Sequence, residues 1–216
     1  MLRAAMCKRL TVPQTFSLDQ LYDQAVALDP VFRVRVQRLA ALCNGHFYVG
    51  GRDAGEAPQL RTWTEIERDE GALAHVEWPA VKMVHRALRK VDLHYHGNVS
   101  RLVDIVRQRI IFRSLADIER CLQAIVDDPQ LEVAAVKNRF ELLSPAVSTA
   151  GYRDVLVVLR VVTELTTSLG ISGHACELQL AHQEMAQLVT PAEHLRYSVG
   201  FRACSRCHVR CFWWIC

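Results

Sequence analysis

The chain has 216 residues, of which 50% are hydrophobic and 23% are charged, with a formal net charge of +3. This composition is typical of a globular protein, and the mild charge argues against nucleic-acid binding, for which a dense basic patch is expected. No apolar run reaches the roughly 20 residues that a membrane-spanning helix needs. Together with dispersed cysteines, which are typical of a reducing compartment, these features predict a cytoplasmic protein without a membrane partner.

The N-terminal part of the sequence predicts an extension followed by helices. Residues 1–16 are basic and carry no acid, which is typical of a flexible terminus or, alternatively, of an organelle transit peptide. Ser17 and Gln20 form a capping-box pattern that starts a helix. Asp29-Pro30 then looks like a second cap with proline at the first helical position. We therefore predict a helical region over 17–75, with a glycine-rich loop in its middle.

A basic helix is predicted next, beginning at Pro79. One side of it is apolar, and the opposite side carries Lys82, Arg86 and Lys90. A helix of this kind has an apolar face that packs on a core and a charged face. The charged face has two interpretations, a surface in contact with water alone or a binding surface for phosphates.

The region 76–203 is predicted to form one domain. It alternates apolar strand patterns with capped helical patterns. The predicted elements are the basic helix, a strand over Leu102–Phe112, a helix capped by Ser114, strands over Leu131–Phe140, Tyr152–Val162 and Ala175–Leu180, and a helix from His182. This order predicts an α+β fold in which helices flank a mixed β-sheet of four to five strands.

Two carboxylates fall within the apolar strand patterns. Asp104 precedes one apolar run, and Glu177 stands between Cys176 and Leu178. A buried carboxylate is costly unless it is paired or binds a metal. We therefore predict that Asp104 and Glu177 lie close enough to share one divalent cation, the alternative being that Glu177 is an outward-facing strand residue.

Residues 204–216 form a Cys-rich tail. Within it, Cys204-Ser205-Arg206-Cys207-His208 matches the c-type haem attachment pattern, and the added cysteines could bind zinc. The interpretation that fits the composition of the tail best is a disordered segment.

Between Val81 and Arg202 a series of polar and aromatic residues follows in a fixed order. They are Lys82, Arg86 and Lys90 in the basic helix, Asp104 and Arg109 in the first strand, Lys137 in the second, Gly151-Tyr152 before the third, Glu177 and Gln179 in the fourth, and Met185, His194 and Tyr197 in the last helix. In this order they resemble the motifs of the synthetase domain of the RelA/SpoT family, enzymes that make guanosine tetra- and pentaphosphate. The resemblance implies a nucleotidyltransferase-like fold.

The activity that this resemblance implies is transfer of pyrophosphate from ATP to the 3′-hydroxyl of a guanosine nucleotide. Asp104 would hold Mg²⁺, and Glu177 would share the metal or take the hydroxyl proton. Tyr152 would stack on the guanine ring. The remaining residues implied to bind phosphates or nucleotide are Lys82, Arg86, Lys90, Arg109, Lys137, Gln179 and His194.

The sequence also departs from the family pattern at four positions. Arg107 replaces a small residue, Asp154 a serine, Leu156 a histidine and Ala181 an arginine. Asp154 could serve as a new ligand beside Asp104. These departures keep two alternatives open, a catalytically weakened nucleotide-binding or regulatory relative and a transferase of the same fold with another nucleotide or RNA as acceptor. The sequence does not indicate an oligomeric state.

Overall fold

The computed structural model describes residues 17–50, 57–141 and 152–187. The predictions for the extension 1–16, for Gly151, for His194 and Tyr197 and for the tail 204–216 lie outside these ranges. The helices are α1 (Leu18–Leu42), α2 (Trp63–Ile66), α3 (Glu70–Ala74), α4 (Val84–His94), α5 (Leu115–Asp127), α6 (Glu164–Ser168) and α7 (Gln183–Gln187), and the strands are β1 (His46–Val49), β2 (Gln59–Thr62), β3 (Val106–Phe112), β4 (Leu131–Asn138), β5 (Asp154–Val161) and β6 (Cys176–His182). None of the described helices is both long and apolar enough to cross a bilayer.

The strands of the described ranges form one mixed sheet in the order β2-β1-β3-β6-β5-β4. β3 and β6 run parallel, with Arg109 opposite Gln179, and the other neighbouring strands are antiparallel. This confirms the predicted α+β fold with a mixed sheet and flanking helices. The sheet has six strands, whereas four to five were predicted.

The additional strands β1 and β2 lie in the region 17–75, which the sequence predicted as helical. They pair with each other, and His46 of β1 pairs with Ile111 of β3. Each has only four residues, so the period-2 pattern that identifies a strand is sampled too few times to stand out. The N-terminal region therefore contributes to the same sheet as the rest of the chain.

Helix α1 is continuous through Pro30, so the predicted second helix start at Asp29-Pro30 is wrong. Ser17 caps the helix as predicted by accepting a hydrogen bond from the Gln20 amide at 3.1 Å. Asp29 does not cap a helix but is buried, accepting from Gln108 Nε2 of β3 at 2.9 Å and pairing with Arg33 at 2.6 Å. These contacts and the apolar stripe of α1 offset the hydrogen bond that proline removes.

Helix α4 begins at Val84, five residues later than Pro79, where the sequence predicted its start. The backbone N–H of Lys82 donates instead to the carbonyl of Ile105 at 3.0 Å. This hydrogen bond holds the segment before α4 alongside the segment that leads into β3. Lys82 therefore precedes the helix, while Arg86 and Lys90 lie on it.

The main core lies between one face of the sheet and helices α1 and α5. Ser114 caps α5 as predicted, accepting from the Asp117 amide at 3.1 Å, and Ile118, Cys121 and Ile125 form the buried side of α5. The largest fully buried side chains of this core include Phe32, Leu28, Phe112, Ile110, Leu178, Leu180 and Leu159. The opposite face of the sheet carries Arg107, Arg109, Glu177 and Gln179, beside smaller apolar clusters.

Candidate functional site

The polar face of the sheet is built by alternating positions of its central strands. Arg107 of β3 lies opposite Glu177 of β6, and Arg109 opposite Gln179. On the other side of β6, Asp154 of β5 lies opposite Ala181. Because side chains alternate between faces along a strand, these residues share one face, and their neighbours in the sequence point into the main core.

Asp104 lies at one end of this face, in the segment just before β3, and is 8% exposed. Its Oδ2 atom accepts hydrogen bonds from the ammonium groups of both Lys82 and Lys90, the latter at 2.8 Å. Burial raises the pKa of this carboxyl, but the charges of Lys90 and Lys82 outweigh that effect and leave the pKa below its usual value. Asp104 is therefore held ionised.

The two lysines reach Asp104 from different directions. Lys82 precedes α4, and its carbonyl accepts from the Tyr22 hydroxyl of α1 at 2.5 Å. Burial lowers the pKa of Lys82, opposed by the charge of Asp104, whereas for Lys90 the charge of Asp104 overcomes burial and the pKa is raised. Arg86 is exposed one turn before Lys90, on the same side of α4. The structure thus brings Lys82 and Lys90 to Asp104 and leaves Arg86 at the rim.

A chain of hydrogen bonds crosses from β3 to β6 beside this cluster. Arg109 donates through Nε and Nη2 to Gln179 Oε1 at 3.1 and 2.9 Å. Gln179 Nε2 in turn donates to Glu177 Oε1 at 2.7 Å. Burial, and after it the nearby charge of Asp104, raises the pKa of Glu177, which is 9% exposed. The charge of Asp104, in the segment before β3, therefore reaches Glu177 on β6.

A second polar cluster lies at the other end of the face. Asp154 is 0% exposed, and its Oδ1 atom pairs with Arg139 Nη1 at 2.6 Å. Asp154 pairs with Ala181 of β6, whereas the start of β3 pairs with Cys176 of the same strand. These two β6 residues are five positions apart, roughly 16 Å at the rise of a strand. The sequence had allowed Asp154 to be a ligand beside Asp104. The structure instead pairs it with an arginine, far from Asp104.

Tyr152 and Lys137 accompany this second cluster. Tyr152 is half-buried, and burial raises the pKa of its hydroxyl. The charge of Arg109 opposes this rise and is the next largest influence. Lys137 lies on β4 opposite Leu156, and burial and then the charge of Arg139 lower its pKa. Two cations and one aromatic ring thus lie near one buried carboxylate.

Arg139 is the site residue that sequence reasoning missed. It follows Lys137 by two residues, so the alternation of a strand was the available signal. What the sequence could not give is its partner, because the ion pair depends on the register of β4 against β5. The same two residues are also joined through their backbones, because the Arg139 amide donates to the Asp154 carbonyl at 2.9 Å.

Two of the positions that depart from the family pattern are apolar and buried on this face. Leu156 packs with Ala134 and Val158, and Ala181 packs with Ile111. Neither can bind a phosphate. Arg107, by contrast, is half-buried opposite Glu177 and adds a positive charge to the face.

Comparisons with known proteins identify the fold. No protein-family model and no curated protein matches the sequence. Among solved structures, small alarmone synthetase 2 from Bacillus subtilis matches with a TM-score of 0.52 and 16% identity, over 86% of this chain and 80% of that chain. A GTP pyrophosphokinase family protein from Streptococcus pneumoniae matches with a TM-score of 0.51 and 10% identity, over 89% and 90%. Small alarmone synthetase 1 from Bacillus subtilis, bound to its product pppGpp, matches with a TM-score of 0.50 and 15% identity, over 88% and 91%. The chain therefore has the fold of the small alarmone synthetases, which is the fold that the sequence resemblance implied.

Proposed function

We propose that this chain is a RelA/SpoT-like pyrophosphokinase, which transfers pyrophosphate from ATP to the 3′-hydroxyl of a guanosine nucleotide. The observation that carries the proposal is the cluster of Asp104 with Lys82 and Lys90 on the polar face of this fold. Phosphoryl transfer relies on positioning and on charge stabilisation. A buried carboxylate for a metal beside two ammonium groups for phosphate oxygens supplies both requirements.

The cations of the face divide between two nucleotides in this proposal. Lys82 and Lys90, which contact Asp104, and the exposed Arg86 at the rim would bind the triphosphate of ATP. Arg109, whose guanidinium is anchored by Gln179, and Lys137 would bind the phosphates of the acceptor. An anchored guanidinium loses little freedom when it binds an anion, so it favours a fixed phosphate position.

The carboxylates fit a magnesium ion. The Oδ1 atom of Asp104 is buried and has no hydrogen-bond partner among the described residues, which suits an oxygen ligand. No group of three or more His, Cys, Asp or Glu side chains capable of holding a metal occurs in the described part of the chain. Mg²⁺ commonly binds through only one or two carboxylates and substrate phosphates. Asp104 and Glu177 would hold it, and it would supply charge neutralisation at the transferred phosphates.

Glu177 is also the candidate general base. Its raised pKa brings the carboxylate nearer to the working pH of an enzyme, which favours proton transfer. Its Oε1 atom is held by Gln179, so the group is oriented on the face where the acceptor hydroxyl must arrive. Taking the hydroxyl proton there would let the 3′-oxygen attack the β-phosphorus of ATP, with AMP leaving.

Tyr152 and His194 complete the proposed nucleotide site. The ring of Tyr152 stands next to the Asp154–Arg139 pair and would stack on the acceptor base. Base stacking on an aromatic ring contributes about 1–3 kcal/mol. His194 lies outside the described residues and enters the proposal through the sequence motif alone.

A second candidate function follows from Leu156 and Ala181. Their apolar side chains stand where the family carries a histidine and an arginine, so the acceptor side of the face has fewer phosphate ligands. This observation favours a regulatory protein that binds nucleotides without transferring pyrophosphate. The test below separates the two candidates.

The deciding experiment incubates the full-length chain with Mg²⁺, γ-³²P-labelled ATP and one acceptor at a time, namely GDP, GTP, ADP or IDP. Pyrophosphate transfer yields AMP and a labelled acceptor with two added phosphates, whereas transfer of one phosphate yields ADP. We expect AMP and labelled product with GDP or GTP. Binding of a nucleotide without product would favour the regulatory candidate, and neither product nor binding would limit the likeness to the fold.

A further inference from the structure

Three buried polar atoms at the β4–β5 end of the polar face have no hydrogen-bond partner among the described residues. They are Asp154 Oδ2, Arg139 Nε and the Tyr152 hydroxyl. Buried polar atoms are hydrogen-bonded in about nine cases out of ten or more. Three unpartnered atoms, two of them on the ion-paired Arg139 and Asp154, therefore indicate that a ligand or water supplies the missing bonds.

The first two atoms form a complementary pair. Asp154 and Arg139 bind each other through Oδ1 and Nη1, which leaves one carboxylate oxygen as an acceptor and one guanidinium N–H as a donor. A carboxylate accepts only, and a guanidinium donates only. The ligand that satisfies both must offer donors and an acceptor along one edge.

The edge of guanine has this pattern. Its N1–H and 2-amino groups are donors, and its O6 atom is an acceptor. Adenine offers an acceptor at N1 where guanine has a donor, so its lone pair would meet the carboxylate and be repelled. Hypoxanthine keeps N1–H and O6 but lacks the 2-amino group. The Asp154–Arg139 pair therefore distinguishes these three bases by chemistry.

The position of Tyr152 fits this reading. Tyr152 precedes Asp154, the first residue of β5, by two residues, and after burial the charge of Asp154 contributes to the raised pKa of the Tyr152 hydroxyl. A base stacked on the ring would extend its edge toward the carboxylate.

We propose that Asp154, oriented by Arg139, determines the acceptor specificity of this chain by accepting hydrogen bonds from N1–H and the 2-amino group of guanine, while Arg139 Nε donates to O6. This inference rests on the proposed function, which provides the acceptor site beside Tyr152. It assigns a role to a carboxylate that stands where the family pattern has a serine.

The competing explanation is a structural ion pair whose remaining bonds go to water. A buried ion pair can often be replaced by apolar residues of similar size without loss of stability. Stability alone therefore does not distinguish the two explanations, and the test must measure base preference.

The experiment measures equilibrium binding of GDP, IDP and ADP to the full-length chain, by calorimetry and without ATP. We expect the wild-type chain to bind GDP more tightly than IDP by about tenfold, and more tightly than ADP by roughly 10- to 150-fold, the range that follows from hydrogen bonds to a charged group. Equal affinity for GDP and ADP overturns the inference.

Two variants locate the preference. In Asp154→Asn the side-chain oxygen pairs with Arg139 and the amide N–H₂ faces the base, so the preference for GDP over ADP should fall to within about threefold. The control is Glu132→Gln, which removes the carboxylate of another cross-strand ion pair between β4 and β5, Arg160–Glu132 at 3.5 Å, and should keep the wild-type preference. A preserved preference in Asp154→Asn overturns the inference.

A third variant covers the case in which Asp154→Asn does not fold. The double substitution Arg139→Met with Asp154→Leu removes both charges and keeps similar volumes, and it should bind the three nucleotides with similar affinities. Because no turnover is measured, the outcomes stay separate from those of the proposed function. Guanine preference that depends on Asp154 supports the inference even if no pyrophosphate is transferred, and transfer without base preference refutes the inference alone.

Discussion

The two faces of strands β3 and β6 differ in what their side chains contact. On one face, Ile110, Phe112 and Leu178 are fully buried against α1 and α5. On the other, hydrogen bonds link Arg109 to Gln179 and Gln179 to Glu177. Their mutual hydrogen bonds offset the cost of burying these polar groups, whereas apolar packing accounts for the residues of the first face. The comparison teaches that β3 and β6 turn mainly apolar even-numbered positions toward the core, whereas their odd-numbered positions include the polar side chains that we propose to bind nucleotides.

The largest effect is expected from Asp104→Asn, because Asp104 is the proposed metal ligand and the partner of two lysines. We expect pyrophosphate transfer to fall by about a thousandfold or more, since several kcal/mol of charge stabilisation is lost. The same change should lower the free energy of unfolding by about 3 kcal/mol, because a buried ion pair loses one member. Single-turnover assays and urea unfolding measure the two quantities.

A loss of stability in Asp104→Asn would show that a residue of the polar face also contributes to stability. A second variant separates this contribution from the role of Asp104 in pyrophosphate transfer. Adding Lys82→Met to Asp104→Asn removes one of the unpaired ammonium groups. This double variant should recover part of the lost stability while pyrophosphate transfer stays absent. Recovery of activity in the double variant would contradict the role of Asp104 as a metal ligand.

Neighbouring residues of β6 give the most direct comparison of the faces. Leu178→Ala removes a fully buried side chain and should lower the free energy of unfolding by about 3 kcal/mol. Gln179→Ala, one residue on and on the other face, should change it by no more than about 1 kcal/mol, yet it should reduce transfer because Arg109 and Glu177 lose their link. Denaturant unfolding and steady-state kinetics of both variants check this. Equal losses of stability would contradict the division.

The sequence predicted those elements whose signals are local. The cap at Ser114 and the apolar stripe of α5 lie within a few residues of each other, and β5 shows a nearly continuous apolar run. The continuity of α1 through Pro30 depends on a contact between Asp29 and Gln108, 79 residues apart, which no local pattern contains. The late start of α4 depends likewise on the hydrogen bond between Lys82 and Ile105.

The same distinction applies to the candidate site. The family motif identified Asp104, Glu177 and the lysines by their residue types, and the structure brings Lys82 and Lys90 to Asp104. Their roles in binding and catalysis stay predictions. The Arg139–Asp154 pair could not be predicted, because it depends on which residues of β4 and β5 face each other. The sequence pattern of the two strands does not fix that register.

The core side of the sheet should show its own dependence on pH through His174. His174 is buried, its Nδ1 atom lies 3.2 Å from Gln24 Oε1 of α1, and burial lowers its pKa to about 4. The unfolded chain, with a histidine pKa near 6.5, binds the proton more readily, so stability is lost as the pH falls from about 6.5 to 4, by about 3 kcal/mol in total.

Urea unfolding of the wild-type chain and of His174→Gln at several pH values measures this contribution. The variant should lose less stability than the wild type across that window, because its side chain does not titrate. Carboxylates titrate in both chains, so the difference between the two curves isolates His174. Parallel curves would show that the imidazole gains its proton without opening the core.

The smallest expected effect concerns Tyr152 on the site face. Tyr152→Ala removes the ring proposed to stack on the acceptor base, which is worth about 1–3 kcal/mol, so the acceptor KM should rise roughly ten- to a hundredfold. The turnover number should change little, because the ring touches the base and not the reacting phosphorus. Tyr152→Phe keeps the ring and removes the hydroxyl, so its KM should stay within about fivefold of the wild-type value, the loss of one neutral hydrogen bond. If the Phe and Ala variants raise KM equally, the hydroxyl and not the ring binds the acceptor. A fall in the turnover number of Tyr152→Ala would instead mean that the ring positions the 3′-hydroxyl for attack, which would extend the catalytic part of this face from Glu177 to the start of β5.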